Sequence, residues 1–327
     1  MVALLAVAIA ADGQTLSPER LAVVYARGDA RSESLARVYA SARHVPPGNV
    51  VGLDVPDKPI LTRGELRALR AVLLDQLSAE VQSLLLVWAR PYAAECMSVT
   101  TAFAAGFRPE FCEPGCGNTA ANPLFDAPSW IPADTVGWLP AMLLPSADER
   151  LARAVLERGL EADGSKPRGT VYLVQTSDRA RNVRATEYEH ARAALGARLR
   201  IVELHTPVRE RHDDVLAYFT GAARVEELAS LSFRPGAVGD TLTSLSGQLE
   251  GSRQTTAVDW LRQGVTGSYG TVSEPCNLTA KFPDPAIFLT HYLRGETLLE
   301  AYWKSVAMPG QGLFVGEPLA RPYAAAP

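Results

Sequence analysis

The sequence predicts an α/β protein, a three-layer αβα sandwich around a mostly parallel central sheet. Three observations carry that reading. Short apolar runs alternate with helix-length segments, and the segments between runs are long enough for right-handed helical crossovers. Several runs, such as SLLLVWA (83–89) and TVYLVQT (170–176), are apolar almost without a break, as strands covered on both faces are. With 327 residues and 47% hydrophobic content, the chain can bury a large core. We expect one α/β domain over 15–327, with an ordered excursion at 91–144.

The elements follow in order. LAVVYA (21–26) reads as the first strand, running into the polar turn RGDARSES and a helix with Leu35, Val38, Tyr39 and Ala42 on one face. His44-Val-Pro-Pro-Gly ends that helix, because a residue before proline is pushed out of the α region. NVVGLDV (49–55) is the next strand. Thr62 and Glu65 have the spacing of a capping box, and Leu66, Leu69, Leu73 and Leu77 then recur at helical spacing. After the excursion, a helix from about Asp148 to Arg158 precedes TVYLVQT, and another over 180–199 leads to RIVEL (200–204). DDVLAYFTG (213–221) is a strand ending in Thr220-Gly221. A short helix carries Ala257, Val258 and Leu261, and VTGSYGTVSEPCN (265–277) is a short strand that turns at Glu274-Pro275. Asp284-Pro285 opens a helix with proline in its first turn. In GETLLEAYWKSV (295–306), Leu298, Leu299 and Tyr302 form an apolar face, with Glu296 in the first turn and Lys304 in the last. GLFVGEPLARPY (312–323) closes the chain as a strand and a proline-rich tail.

Composition excludes some functions. A net charge of −4 over 21% charged residues, with arginines scattered among acids, argues against a nucleic-acid partner. MVALLAVAIA (1–10) is too short to span a bilayer, which argues against integral membrane association. It resembles the tail of a signal peptide's apolar region, so 1–14 reads as a signal remnant and the protein as exported, periplasmic or extracellular; a buried first strand is the alternative. Between 91 and 144 the rhythm breaks into Pro, Gly, Asn and small residues, and a structureless loop of that length is improbable in a compact domain. Four cysteines, Cys96, Cys112, Cys116 and Cys276, allow three pairings. Cys112-Glu-Pro-Gly-Cys116 reads as a turn closed by a disulfide or as two cysteines each paired elsewhere. Zinc is the weaker reading, because a structural zinc site needs four ligands.

The stretch 235–277 carries the chemistry. PGAVGDTLTSLSG groups Asp240, Thr241, Thr243, Ser244 and Ser246 between glycines that permit close backbone approach, and Thr255 or Thr256 caps the helix that follows. On a parallel sheet the loops after these strands emerge at the carboxyl edge, where open α/β sheets bind ligands. Asp240, Ser244 and Glu274 are therefore the candidate site residues, with His212, followed by Asp213 and Asp214 in the loop-like LHTPVRERHDD, the best of five histidines. Turn and cap duty for the hydroxyls is the competing reading. Ser244 is not in a G-x-S-x-G elbow, and no phosphate-binding glycine motif is present. The sequence identifies no cofactor or metal.

LAVVYARGDARSESLARVYASARHVPPGNVVGLDVP, SLLLVWARPY, CMSVTTAF, DDVLAYFTGAARV, PGAVGDTLTSLSG, YGTVSEPCN and ETLLEAYWKSV with VGEPLARPY resemble a conserved bacterial family, often with signal peptides, whose function is not established. That family in turn is distantly similar to the caspase/gingipain-like fold. The resemblance implies a histidine after one central strand and a cysteine after the next. Thr220-Gly221 and the segment from Asp240 to Ser244 stand at those positions here, so the Cys-His dyad is missing. Two function classes follow: a hydrolase working with Asp240, Ser244, Glu274 and His212, or a non-catalytic envelope protein that binds a small molecule, peptide or glycan in the same cleft.

Overall fold

The computed structural model describes residues 15–112, 115–207 and 210–325. MVALLAVAIA, and with it the choice between signal remnant and buried strand, lies outside the described residues. The chain first makes β1 (Leu21–Ala26), α1 (Ala30–Arg43), β2 (Val50–Leu53), β3 (Ile60–Leu61), α2 (Arg63–Gln76) and β4 (Ser83–Val87). The excursion contributes β5 (Ala93–Ala94), β6 (Met97–Ser98), α3 (Val99–Ala105) and α4 (Pro132–Val136), and β7 (Ala141–Leu144) returns to the main sheet. Then follow α5 (Glu149–Ala162), β8 (Thr170–Val174), α6 (Tyr188–Leu195), β9 (Arg200–Leu204), β10 (His212–Thr220) and β11 (Leu231–Thr241). α7 (Ala257–Gln263), β12 (Gly267–Thr271), α8 (Pro285–Leu293), α9 (Leu298–Ser305) and β13 (Gly312–Gly316) complete the fold.

Ten strands form one sheet in the order β2-β1-β4-β7-β13-β12-β11-β10-β8-β9, flanked by helices in a three-layer arrangement. Neighbours pair in parallel everywhere except at β12 and β13. The sheet is thus two five-stranded parallel blocks running in opposite directions, joined at one antiparallel seam. In that seam Thr271 lies opposite Gly312, so the carboxyl ends of β10, β11 and β12 share an edge with the start of β13. Every residue of β4 and β8 is buried, as their unbroken apolar sequences require.

Local chemistry sets the helix ends. Thr62 accepts the Glu65 amide while the Glu65 carboxylate accepts the Thr62 amide, and Thr256 with Asp259 and Thr297 with Glu300 repeat this capping box. His44 ends α1 in the left-handed region, at φ 57°, just ahead of Val45-Pro46.

Four local expectations change. The segment 180–199 is a 3-10 turn over 182–187 followed by the shorter α6. Upstream, Asp178 accepts the Arg181 amide and Asn182 accepts the Thr176 amide, side-chain bonds that compete with a helical start. Pro235 to Thr241, read as a glycine-rich loop, belongs to β11. Gly239 is there for packing, since a Cβ would lie 2.5 Å from the Trp260 ring. His212, expected in a loop, is the first residue of β10. Glu296 lies ahead of α9 rather than in its first turn, because Thr297 is the cap.

Candidate functional site

β10 and β11 are in register as Phe219 with Asp240 and Thr220 with Thr241, so Asp240 and Thr241 close β11 at the carboxyl edge. Thr241 uses its hydroxyl to accept the Ala222 amide at 3.0 Å and to donate to the Ala222 carbonyl at 2.8 Å. Thr243 accepts from Arg181 Nε at 2.8 Å and donates to Gln254 Oε1 at 3.1 Å. The Thr271 hydroxyl lies 3.0 Å and 2.8 Å from the carbonyls of Thr243 and Ser244, which fixes the loop after β11 against β12. Most hydroxyls of this passage therefore hold the loops. The Ser244 and Ser246 side chains make no hydrogen bond among the described residues, and Ser244 is only 8% exposed.

Asp240 is fully buried and ion-paired with Arg184, which is equally buried. Arg184 comes from the 3-10 turn after β8, lies over the Phe219 ring at 5.0 Å and donates from Nη2 to the Pro283 carbonyl at 2.7 Å. Burial works to lower the Arg184 guanidinium, and the Asp240 charge beside it more than offsets this, holding it above its ordinary value. Near this pair stands Glu187, whose carboxyl is pushed up to about 7, mainly by burial, with Arg184 pulling the other way and Asp284 adding to the rise.

Glu274 is exposed at the corner after β12. Its Oε1 accepts the Cys276 amide at 2.8 Å, and its carbonyl accepts from Gln311 Nε2 at 2.6 Å. Cys276 and Asn277 both have left-handed φ, 59° and 55°, a strained pair of consecutive non-glycine residues. Two disulfides close over this corner: Cys116 to Cys276, with Cα atoms 5.1 Å apart, and Cys96 to Cys112, at 5.6 Å. Ser273 also donates to the Cys96 carbonyl at 2.7 Å. The cysteines of Cys112-Glu-Pro-Gly-Cys116 are thus each paired elsewhere, which leaves no thiolate for zinc; Glu113 and Pro114 lie outside the described residues.

The excursion is also anchored from its far side. His291 Nε2 lies 2.8 Å from Asp126 Oδ1 and its Nδ1 2.7 Å from Glu296 Oε1, while Lys304 Nζ donates to Glu296 Oε2 at 2.6 Å. Burial raises Glu296, and the bonds from His291 and Lys304 outweigh it, so the carboxyl sits below its usual range.

Asp240 at the end of β11, Ser244 after it and Glu274 after β12 thus all lie at the carboxyl edge, but among the described residues no hydrogen bond joins any two of them. His212 stands at the other end of β10, eight residues before Thr220 and across two register irregularities, with its ring tilted against that of Tyr172, centroids 4.5 Å apart. Strand direction alone keeps it from the other three. Sequence reasoning missed Arg184 and Glu187, which sit in a segment read as regular helix, and Asp126, which lies 165 positions from His291. None of the three carries a local signal. Among the described residues, no group of three or more His, Cys, Asp or Glu side chains could hold a metal ion, and no helix is long and apolar enough to cross a membrane.

Comparison with protein-family profiles and with curated protein sequences finds no match. A solved structure titled "Structure of Protease" is weakly similar, at 11% identity and a TM-score of 0.48, over 95% of this chain and 80% of its own. A likeness at that level assigns neither activity nor site residues.

Proposed function

We propose that this chain is an exported, non-catalytic protein with a caspase/gingipain-like fold, which binds a peptide or glycan partner through the carboxyl-edge loops and their disulfide-closed cover. One observation carries the reading: apart from the buried Ser244 and Ser246 hydroxyls, most side chains with chemical potential at this edge are engaged in holding the structure. Asp240 is locked to Arg184, all four cysteines are in disulfides, and Thr241 and Thr243 hold loop backbone and neighbouring side chains. Export is supported by the two disulfides, which persist in oxidising compartments. The exposed Glu274, on its strained corner, is the group best placed to meet a partner.

A hydrolase is the second reading, favoured by one observation. Glu187, with a carboxyl near neutrality close to the Arg184–Asp240 pair, has the proton affinity of a general base. The test is a pair of measurements on the oxidised protein: hydrolysis of quenched peptide and ester libraries, and calorimetric binding of cell-wall peptide and glycan fragments. We expect no turnover above that of a protein-free blank, and binding that Glu274→Gln, whose side-chain oxygen can still accept the Cys276 amide, weakens without lowering the melting temperature. Turnover that disappears in a folded Glu187→Gln protein would replace the binding reading with the hydrolase.

A further inference from the structure

At the amino edge of β8 and β9, beside Leu216 of β10 and away from the loops described above, the surface holds a vestibule of about 450 Å³. Four cations line it: Lys166 and Arg168 from the loop before β8, Arg198 from the turn before β9, and Arg200, the first residue of β9. No Asp or Glu lines it, and among the described residues none of the four makes an ion pair. Elsewhere in this chain of net charge −4, many arginines do pair with acids, as Arg43, Arg90, Arg153 and Arg181 show. Four uncompensated like charges on one concave surface repel each other and focus a positive potential into it.

The floor is different in kind. Leu199, Leu216, Leu293 and Tyr323 pave it, and a narrow apolar slot behind continues from the same residues toward Val171, Phe288 and Tyr292. The loop that presents the first two cations is clipped in place, since the Lys166 amide donates to the Pro322 carbonyl at 2.9 Å and the Gly164 amide to the Arg321 carbonyl at 3.0 Å. Lys166 itself is held at φ 48°, a strained conformation for a side-chain-bearing residue, of the kind that clusters at ligand clamps. The vestibule has the volume of a small-ligand site. Cationic rim and apolar floor together describe an occupant with both an anionic and an apolar part.

We propose that this vestibule binds the phosphate headgroup of an anionic lipid, with the first methylenes of its chain against Leu199, Leu216, Leu293 and Tyr323. The apolar floor selects a lipid over free phosphate, which would leave those side chains uncovered. The site is independent of the carboxyl edge, so the proposal stands or falls apart from the function proposed there.

The test is co-sedimentation of the full chain with vesicles of zwitterionic lipid, alone or mixed with an anionic phospholipid. We expect binding to the mixed vesicles only. Removing two of the four charges in the Arg198→Gln/Arg200→Gln protein weakens it about thirtyfold. A soluble short-chain phosphatidic acid displaces the protein, and inorganic phosphate at the same concentration does not. The Lys166→Gln/Arg168→Gln pair, on a separate loop, repeats the test should the first pair fold poorly. Equal binding to both vesicle types, equal displacement by inorganic phosphate, or unchanged binding in both folded pairs would each overturn the proposal.

Discussion

Replacing Arg184 by Met tests whether Asp240 is a structural ion or a working one. Both side chains are fully buried, so no solvent screens the carboxylate once its partner is gone. Two unit charges about 4 Å apart attract by about 4 kcal/mol at an effective dielectric of about 20, and removing one member of a buried pair costs about 3–5 kcal/mol because the other is left uncompensated. The Phe219 ring also loses its cation, worth about 1 kcal/mol. Against a total stability of about 5–15 kcal/mol, this is a large share. Asp240→Asn should cost a similar amount, by stranding Arg184. The double change Arg184→Met/Asp240→Leu should recover most of the loss, because a buried pair replaced by apolar groups of similar volume is often neutral or better. Urea unfolding followed by tryptophan fluorescence measures all three proteins. If Arg184→Met costs less than about 1 kcal/mol, the pair is not what keeps Asp240 in place. The claim that Asp240 is spent on structure then fails, and it returns as a candidate for chemistry.

Three further predictions follow from particular contacts. The Glu187 carboxyl, near 7 in the fold against about 4.3 in the unfolded chain, holds a proton in the fold that the unfolded chain lacks between those values. Its stabilising contribution is full below about pH 4.3 and is lost as pH rises through about 7, so urea unfolding at pH 5 and pH 8 should show a decline of about 2–3 kcal/mol that Glu187→Gln removes. Gly239→Ala should destabilise by about 1–3 kcal/mol by forcing the Trp260 ring aside, visible as a lower melting temperature and a changed near-ultraviolet signal. The Cys116–Cys276 disulfide spans 160 residues and Cys96–Cys112 only 16, so Cys116→Ser/Cys276→Ser should cost about 5 kcal/mol and Cys96→Ser/Cys112→Ser about 3 kcal/mol in non-reducing denaturation. Equal losses would show that loop-closure entropy is not the main term.

The sheet was legible in the sequence where one physical cause dominates. Burial on both faces favours apolar residues through 84–87 and 171–174, and the Thr62–Glu65 capping box is a local bond with a local spacing. Candidate site residues were legible only as to strand ends. Asp240 falls at the carboxyl edge because it closes an apolar run, but its partner comes from 56 positions away, and no pattern in RNVRATE announces an arginine that will be fully buried. Glycines misled for a related reason. Gly236 and Gly239 read as loop residues, but Gly239 stays small because Trp260 lies against β11, a contact between elements that neither segment reveals alone. His212 was misplaced because its neighbours are charged. They also start a long strand, in which the His212 ring lies tilted against that of Tyr172.

The direction of the strands has a functional consequence that can be tested directly. The carboxyl-edge loops lie at the end of β10, and the cationic vestibule reaches β10 at Leu216, four residues or about 13 Å before Thr220. That exceeds the Debye length of about 8 Å at physiological ionic strength, and no charged pair bridges the two ends along β10 among the described residues. Perturbing one edge should therefore leave the other untouched. Glu274→Gln should not alter sedimentation with anionic vesicles, and Arg198→Gln/Arg200→Gln should not alter binding of peptide or glycan fragments. The combined protein should lose stability by the sum of the two sets, within about 0.5 kcal/mol. A larger coupling would mean that β10 and its neighbours move as a two-state element, so that occupancy of one edge reshapes the other. The two surfaces would then have to be treated as one regulated site.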